Sequence, residues 1–299
     1  LACITMLTPG ERAFVTRKIG RSRVPLRWAL EDDYYEIFGR RPNLKEPLRY
    51  TEKIQKYILK ERNPLFHRLV DKVDVKQYVA SAIGEEYVVP TIGTWNRVED
   101  IDWEALPEKF VLKCTHDSGS AVICEDKSSF DYTGACLKLS SCLKRDYWKS
   151  SREWAYKGLS HRIIAEPFLP CLVQSSSTSD VCDYKFFCFN GVPKVMFVAT
   201  DRNVPGRETK FDFFDMDFRR LDFCNGHPNA DSAPLCPEKF ELMKLFAARL
   251  SAGIPQVRVD FYEIGGKVYF GEFTFYHWRG LVPFEPDEWD FKMGSLWGE

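Results

Sequence analysis

The spacing of apolar residues divides the chain into a helical first third and a strand-rich remainder. From Tyr50 to about Leu69, Ile54, Tyr57, Ile58 and Phe66 recur at helical spacing, interrupted at Asn63-Pro64. A second helix is expected over about Val70–Ile83, stopping at Gly84, a natural closing position. Beyond it the period falls to two. VVPTIGTW (88–95), KFVLKCTH (109–116) and AVIC (121–124) read as strands, the last two forming a hairpin across the polar turn His116 to Ser120. Residues 134–157 read as helix, RIIAEPFL (162–169) as a strand and QSSSTSD (174–180) as a low-complexity loop. DYKFFCFNG (183–191) and PKVMFVATD (193–201) predict a hairpin around Asn190-Gly191.

PEKFELMKLFAARLSAGIP (237–255) carries the clearest helix pattern. Pro237 opens it, Phe240, Met243, Phe246, Ala247 and Leu250 form its apolar face, and Gly253 and Pro255 close it. QVRVDFYEIGGKVYFGEFTFYHWRG (256–280) predicts two strands joined at Gly265-Gly266. Residues 1–45 are basic with few periodic signals and are expected to be a partly ordered arm or a segment outside the fold. The Trp and Phe residues of 284–297 are expected to serve packing. The fold class is therefore α+β with mostly antiparallel hairpins, not a βαβ repeat.

Composition narrows the function. A chain of 299 residues suggests two domains, or one with lobes. Forty-two basic against 43 acidic side chains give a formal net charge of -1, which argues against a dedicated nucleic-acid binder. No apolar run approaches the ~20 residues of a membrane span. The first residues, LACITMLTPGER, lack the basic start and apolar core of a secretory signal. Ten cysteines occur without a CxxC pair, so a structural zinc site is not expected and the thiols read as reduced, in a cytoplasmic protein. GxGxxG and GxxxxGK[ST] loops are both absent.

Candidate chemistry concentrates in residues 256–280. Arg258 and Asp260 share one face of the first strand, and Val257, Val259 and Phe261 the other. On the second, Glu272 and Thr274 alternate onto the face of Val268 and Phe270. A Glu between Gly271 and Phe273 in an aromatic strand is an uncomfortable solvated residue, and buried carboxylates are costly unless paired. Two acids from neighbouring strands beside an arginine suit Mg2+ with substrate phosphates. Ordinary surface charges with a structural Arg–Asp pair remain an equal alternative. Register separates the two. A plain two-residue loop at Gly265-Gly266 pairs Asp260 with Gly271 and sends Glu272 to the opposite face, whereas an odd loop or one β-bulge brings both acids together.

The succession DK (71–72), FVLKCTHDSGSAVI (110–123), AEPFL (165–169), DYKFFCFNG (183–191), VRVDFY (257–262) and YFGEFTFYHWRG (269–280) resembles the ATP-grasp superfamily, and more closely its TupA-like family of teichuronopeptide biosynthesis. The likeness runs from about Asn43 to Trp297. It implies two α+β lobes sandwiching ATP. Residues 1–95 would form an arm and helical region, 96–169 a central lobe with a phosphate flap, and 170–299 a C-terminal lobe with the metal site. It implies Lys72 and Lys113 as phosphate-binding lysines, Ser118, Gly119 and Ser120 as the flap, and Glu166, Pro167, Phe168 and Leu169 as the adenine hinge. Asp183 would be a ribose or supporting acid and Lys185 a phosphate contact. Arg258 would hold the transferring phosphate, while Asp260, Glu272 and Thr274 would hold Mg2+; Thr274 stands where many superfamily members have Asn. Arg279 and His277 are candidates for a substrate carboxylate, and Arg202, Arg207 and Lys210 for the γ-phosphate or the acid.

The activity this implies is an ATP-dependent carboxylate–amine ligase acting through an acyl phosphate. Its partners would be a uronic acid or amino acid of a surface polysaccharide and an amine that is itself an amino acid. Phosphoryl transfer needs positioning and charge neutralisation rather than a protein nucleophile, and no Ser–His–Asp or Cys–His set is visible. Two alternatives stand. Asp215-Met216-Asp217, in a loop-like stretch (FDFFDMDF), matches the DxD string of glycosyltransferases. A nucleotide-binding module without catalysis is the other.

Overall fold

The computed structural model describes residues 18, 20, 23–169, 183–202 and 206–298. Its helices are α1 (Leu26–Phe38), α2 (Tyr50–Lys60), α3 (Leu65–Val70), α4 (Asp74–Ile83), α5 (Tyr132–Lys144), α6 (Tyr147–Ser151), α7 (Phe240–Leu250) and α8 (Glu288–Trp297). The strands are β1 (Gly93–Trp95), β2 (Phe110–Cys114), β3 (Val122–Cys124), β4 (Ile163–Pro167), β5 (Asp183–Phe189) and β6 (Val192–Thr200). They continue with β7 (Lys210–Phe214), β8 (Cys224–Asn225), β9 (Gln256–Ile264), β10 (Lys267–Thr274) and β11 (Phe284–Glu285). They build a four-stranded antiparallel sheet in the order β1-β4-β2-β3 and a five-stranded one in the order β10-β9-β5-β6-β7; β8 and β11 pair separately.

Each large sheet has its own apolar core. Phe110, Leu112, Ile163 and Ala165 of the smaller sheet close over Leu139 and Cys142 of α5. In the larger, Phe186, Phe187, Met196, Val257 and Val259 pack with Ile54 and Ile58 of α2, Met243, Phe246 and Leu250 of α7 and Met293 of α8. The two fillings are the physical basis of an α+β molecule with two lobes.

Several elements depart from the periodicity. The 88–95 stretch contributes only β1, and the expected 134–157 helix divides into α5 and α6. At the division Arg145 turns extended (φ -85°, ψ 118°) and its guanidinium reaches Asp117 at 2.9 Å. The second helix begins at Asp74 rather than Val70, because Asp71 Oδ1 accepts from the backbone N–H groups of Val73 (2.9 Å) and Asp74 (3.0 Å) and acts as a cap. The stretch FDFFDMDF, expected to be loop-like, instead holds β7, with Phe211, Asp212, Phe213 and Phe214 all buried. Asp212 is tolerated there because Arg220 and the Ala230 N–H donate to it. Within the expected arm, α1 buries Ala29, Leu30 and Tyr34, so that part of 1–45 belongs to the fold. The loop expected over 174–180 lies outside the described residues.

Helix α2 is clamped between α8 and the turn after β10. Asp290 of α8 accepts from Thr51 N (2.9 Å) and Oγ1 (2.7 Å), while Gln55 Nε2 donates to the Arg279 carbonyl at 2.5 Å. Gly294 of α8 lies so close to the chain before α2 that an added Cβ would stand 2.0 Å from the Leu48 carbonyl oxygen and 2.9 Å from Tyr50 N. Alanine normally gains about 1 kcal/mol over glycine inside a helix. Here overpacking against immovable backbone wins, and we expect Gly294→Ala to lower unfolding free energy by about 3 kcal/mol. A urea titration checks this; a midpoint at or above wild type would refute the close approach.

Candidate active site

A cavity of about 460 Å³ opens between the two sheets. Lys113 of β2 and Glu166 of β4 line it from the smaller sheet and Arg258, Glu272 and Thr274 of β9 and β10 from the larger; Lys72 enters from the turn before α4, whose Val75, Val79 and Ile83 belong to the larger sheet's core. Leu69, Val75, Val88, Val89, Pro167 and Leu169 supply apolar wall. Lys72 reaches this position because the Asp71 cap turns the chain: its backbone N–H donates to Thr115 O at 3.2 Å and its ammonium to the Asp117 carbonyl. Burial, reinforced by Lys113, pulls the Lys72 ammonium below its usual pKa. Glu166 is gripped by Lys113 at 2.5 Å and Lys76 at 2.6 Å. Burial alone would raise its pKa, but the two ammonium groups outweigh it and the carboxyl titrates below the usual range.

Behind the opposite wall runs a buried polar chain. Asp260 is 1% exposed and faces Lys185 across the β5–β9 ladder. Its carboxylate accepts from Arg258 Nε and Nη2, both at 2.7 Å, and from Lys185 Nζ at 2.6 Å. Burial opposes its ionisation, yet Arg258 and Lys185 prevail and hold it below the usual carboxylate range. Lys185 also contacts Asp183 at 2.7 Å, and Asp183 in turn meets Arg202. On its other side Arg258 Nη1 donates to His277 Nδ1 at 2.8 Å. His277 Nε2–H must then donate to Asn225 Oδ1, 2.9 Å away. That amide is oriented by its Nδ2 donating to the Val282 (3.1 Å) and Pro283 (3.0 Å) carbonyls. Burial, with Arg258 beside it, holds His277 neutral, as an acceptor to a guanidinium requires. His277 thus steadies Arg258 and does not face the cavity.

Register explains how Glu272 meets Arg258. Gly265-Gly266 is a two-residue turn, which alone would send Glu272 away from Asp260. Between the pairs Phe270–Phe261 and Phe273–Val259, however, Gly271 and Glu272 both stand opposite Asp260. This β-bulge flips the following residues. Glu272 and Thr274 therefore leave the face of Val268 and Phe270, correcting the simple alternation, and join Arg258. Glu272 Oε1 lies 3.6 Å from Arg258 Nη2 with its side chain 58% exposed, so it is a cavity-facing carboxylate rather than a buried one. Glycine suits position 271 of the bulge, since a Cβ there would press on the Asp260 carbonyl oxygen at 3.1 Å.

Beyond β10 the chain turns sharply. Trp278 (φ 49°), Arg279 (φ 55°) and Gly280 (φ 63°) are successive left-handed residues, and both Trp278 and Arg279 line the cavity. Non-glycine residues there cost about 1–3 kcal/mol each, held by the α2 clamp on the Arg279 carbonyl.

Two lysines thus share one cavity with a bulge-borne carboxylate and an anchored arginine. A family model described as TupA-like ATPgrasp matches residues 52–297. The chain belongs to the TupA-like ATP-grasp family. No curated protein matches the sequence. Among solved structures, D-alanine–D-alanine ligase from Bacillus anthracis complexed with ATP shares 14% identity, covering 69% of this chain and 53% of that one, with a TM-score of 0.38. D-cycloserine synthetase DcsG shares 16% over 71% of this chain and 64% of its own, TM-score 0.40. D-alanine–D-alanine ligase from Helicobacter pylori shares 17% over 69% and 54%, TM-score 0.36. The chain spans between about half and two thirds of the length of these structures.

Of the residues singled out in the ATP-grasp pattern, Lys72, Lys113, Ser118, Glu166, Pro167, Leu169, Arg258, Glu272, Thr274 and Arg279 line the cavity; Gly119, Ser120, Phe168, Asp183, Lys185 and Asp260 do not. Ser120 is turned inward, donating to Asp117 Oδ1 at 2.5 Å and accepting from Cys114 N at 2.8 Å. His116 Nε2 donates to the Arg145 carbonyl at 3.1 Å. Arg202, Arg207 and Lys210 pair with Asp183, Asp201 and Glu208. Asp215 Oδ1 accepts from Asp217 N and Arg219 N, both at 2.9 Å, so the DxD string caps its own turn. Sequence reading missed Lys76 and Glu153, which also line the cavity and carry no local signal.

The donor set suits the family's groups unevenly. Apolar walls beside two lysines fit a nucleotide. Glu272 and Thr274 offer oxygen donors, the chemistry Mg2+ takes together with phosphates. Among the described residues no group of three or more His, Cys, Asp or Glu could hold a metal ion alone. Both oxygens of Asp260 already serve Arg258 and Lys185.

Proposed function

We propose that this chain is an ATP-dependent ligase that joins a carboxylate to an amine through an acyl phosphate, linking an amino acid to a uronic acid or amino acid of a surface polysaccharide. The observation that carries the reading is the convergence of Lys72, Lys113, Arg258 and Glu272 on one cavity between two sheets. In this reading the N-terminal arm and helical region span 1–95, the flap-bearing lobe 96–169 and the metal-bearing lobe 170–299. The ammonium groups of Lys72 and Lys113 neutralise the nucleotide phosphates, and the segment Glu166 to Leu169 borders the adenine. Arg258, fixed from behind by Asp260 and His277, presents its guanidinium to the transferring phosphoryl group. Glu272 and Thr274 would hold Mg2+, which when bound spreads the phosphate charge. Asp260 contributes by anchoring Arg258.

All seven described cysteines are free, in keeping with a cytoplasmic site of action, and no described helix is long and apolar enough to cross a membrane. The test is ADP release from ATP and Mg2+ with uronic acids and amino acids added singly and in pairs. ADP that requires an acid and an amine together is the expected result. ATP turnover indifferent to every acid would overturn the reading.

A further inference from the structure

Glu153, between α6 and the short turn at Trp154–Tyr156, faces the same cavity and has no part in the nucleotide chemistry above. Its side chain is only 7% exposed, and no described group donates a hydrogen bond to its carboxylate. Its nearest cation is Arg279, with Nε 4.0 Å from Oε1, too far for a hydrogen bond. Arg279 Nε is itself buried without a partner, although Nη2 lies 3.4 Å from Asp33 of α1. Burial pushes the Glu153 carboxyl up to about 8, against the pull of Arg279. Tyr147 and Tyr156 wall the same end, their phenols held neutral by burial.

A buried carboxylate and a buried guanidinium N–H that face each other without bonding are both costly in isolation. The left-handed backbone that aims Arg279 adds to that cost. A ligand carrying both charges a short distance apart would relieve both groups. In an α-amino acid the nitrogen and the carboxyl carbon are about 2.5 Å apart, from N–Cα and Cα–C bonds near the tetrahedral angle. A lone amine would leave Arg279 Nε without an acceptor, and a dicarboxylate would set like charges against Glu153.

We propose that Glu153 and Arg279 form the seat of the amine substrate and that this substrate is a zwitterionic α-amino acid, its ammonium on Glu153 and its carboxylate on Arg279. The inference rests on the ligase reading. In the bond-forming step the ammonium gives one proton to the Glu153 carboxylate. The freed nitrogen lone pair forms the C–N bond to the acyl carbon, and the C–O bond to phosphate breaks. The second nitrogen proton leaves with the phosphate as hydrogen phosphate, so the products are amide, hydrogen phosphate and protonated Glu153. An ammonium seated against Glu153 favours its ionised form, which leaves a carboxylate in place to accept that proton.

The test is calorimetric binding of the twenty standard amino acids to the full chain, with the N-acetyl derivative and the methyl ester of any that binds. Loss of at least tenfold in affinity on blocking either charge is expected, and so is a similar loss in Glu153→Gln and Arg279→Met. In turnover, KM for the amino acid should rise at least tenfold in Glu153→Gln while KM for ATP moves far less. No binding by any amino acid, or binding indifferent to both blocking groups, overturns the seat. The ligase reading is checked separately with wild type, ATP and hydroxylamine, a small nucleophile that traps acyl phosphates without an amino-acid seat. Hydroxamate with an acid from the uronic and amino acid panel, but no amino-acid binding, would sink only the seat. Amino-acid binding without hydroxamate would sink the ligase reading and, with it, the role of this seat as the amine site, leaving only an amino-acid-binding pocket.

Discussion

Glu272→Ala is expected to lower ADP release by about 10²–10³-fold, the scale set by removing one contributor to transition-state charge stabilisation, here through the Mg2+ that Glu272 would hold. The effect should fall on chemistry rather than folding. The side chain is 58% exposed and, among the described residues, its one ion pair, to Arg258, is 3.6 Å long. Surface substitutions of this kind change stability by about 0.5 kcal/mol or less. The β-bulge that presents residue 272 depends on Gly271 and the backbone, not on the carboxylate. Steady-state ADP release measured beside a urea unfolding curve separates the two. Full activity in a stably folded Glu272→Ala would remove this carboxylate from the reaction.

Asp260→Ala should behave in the opposite way and cost about 3–5 kcal/mol of folding stability, the penalty for stranding buried charge. Asp260 is the common acceptor for Arg258 and Lys185, and all three are buried. Without it two cations stay desolvated, and among the described residues the acids left to pair with them are Asp183 and the partly exposed Glu272. Denaturant unfolding followed by the fluorescence of the eight tryptophans measures the loss. The wild type carries a pH signature of the same pair. Because Arg258 and Lys185 overcome burial and depress the folded pKa of Asp260, its contribution is complete above the ordinary carboxylate range. That contribution fades as pH falls through the depressed value. Asp260→Asn should flatten this acid limb. A stability loss below about 1 kcal/mol in Asp260→Ala would mean that the buried pair is replaceable by water.

Much of the strand framework could be read from the chain because period-two patterning and turn chemistry are local. The hairpins at Asn190-Gly191 and Gly265-Gly266, and helix α7, follow from a few neighbouring residues. Strand β7 and helix α1 were hidden because acidic residues interrupt their apolar patterns, and the partners that make those acids tolerable are distant. Asp212 is answered by Arg220 and Ala230 N, and Asp33 meets Arg279 from 246 positions away. Lys185 carried an ambiguous signal for the same reason. A lysine in an aromatic strand is compatible with phosphate binding, and only the β5–β9 register sets its ammonium on Asp260.

By itself the sequence determined the α+β class, the strand that carries Arg258 and Asp260, and the acid at Glu272, all matters of local spacing and residue type. Tertiary structure alone decided that a bulge at Gly271-Glu272 returns Glu272 to Arg258. It also decided that His277 steadies that arginine, and that Glu153 and Arg279, both lining the cavity, stand 4.0 Å apart without a hydrogen bond. Those outcomes depend on ladder register and on contacts between remote segments, where a one-residue shift reverses which way a side chain points. No local pattern encodes such a shift.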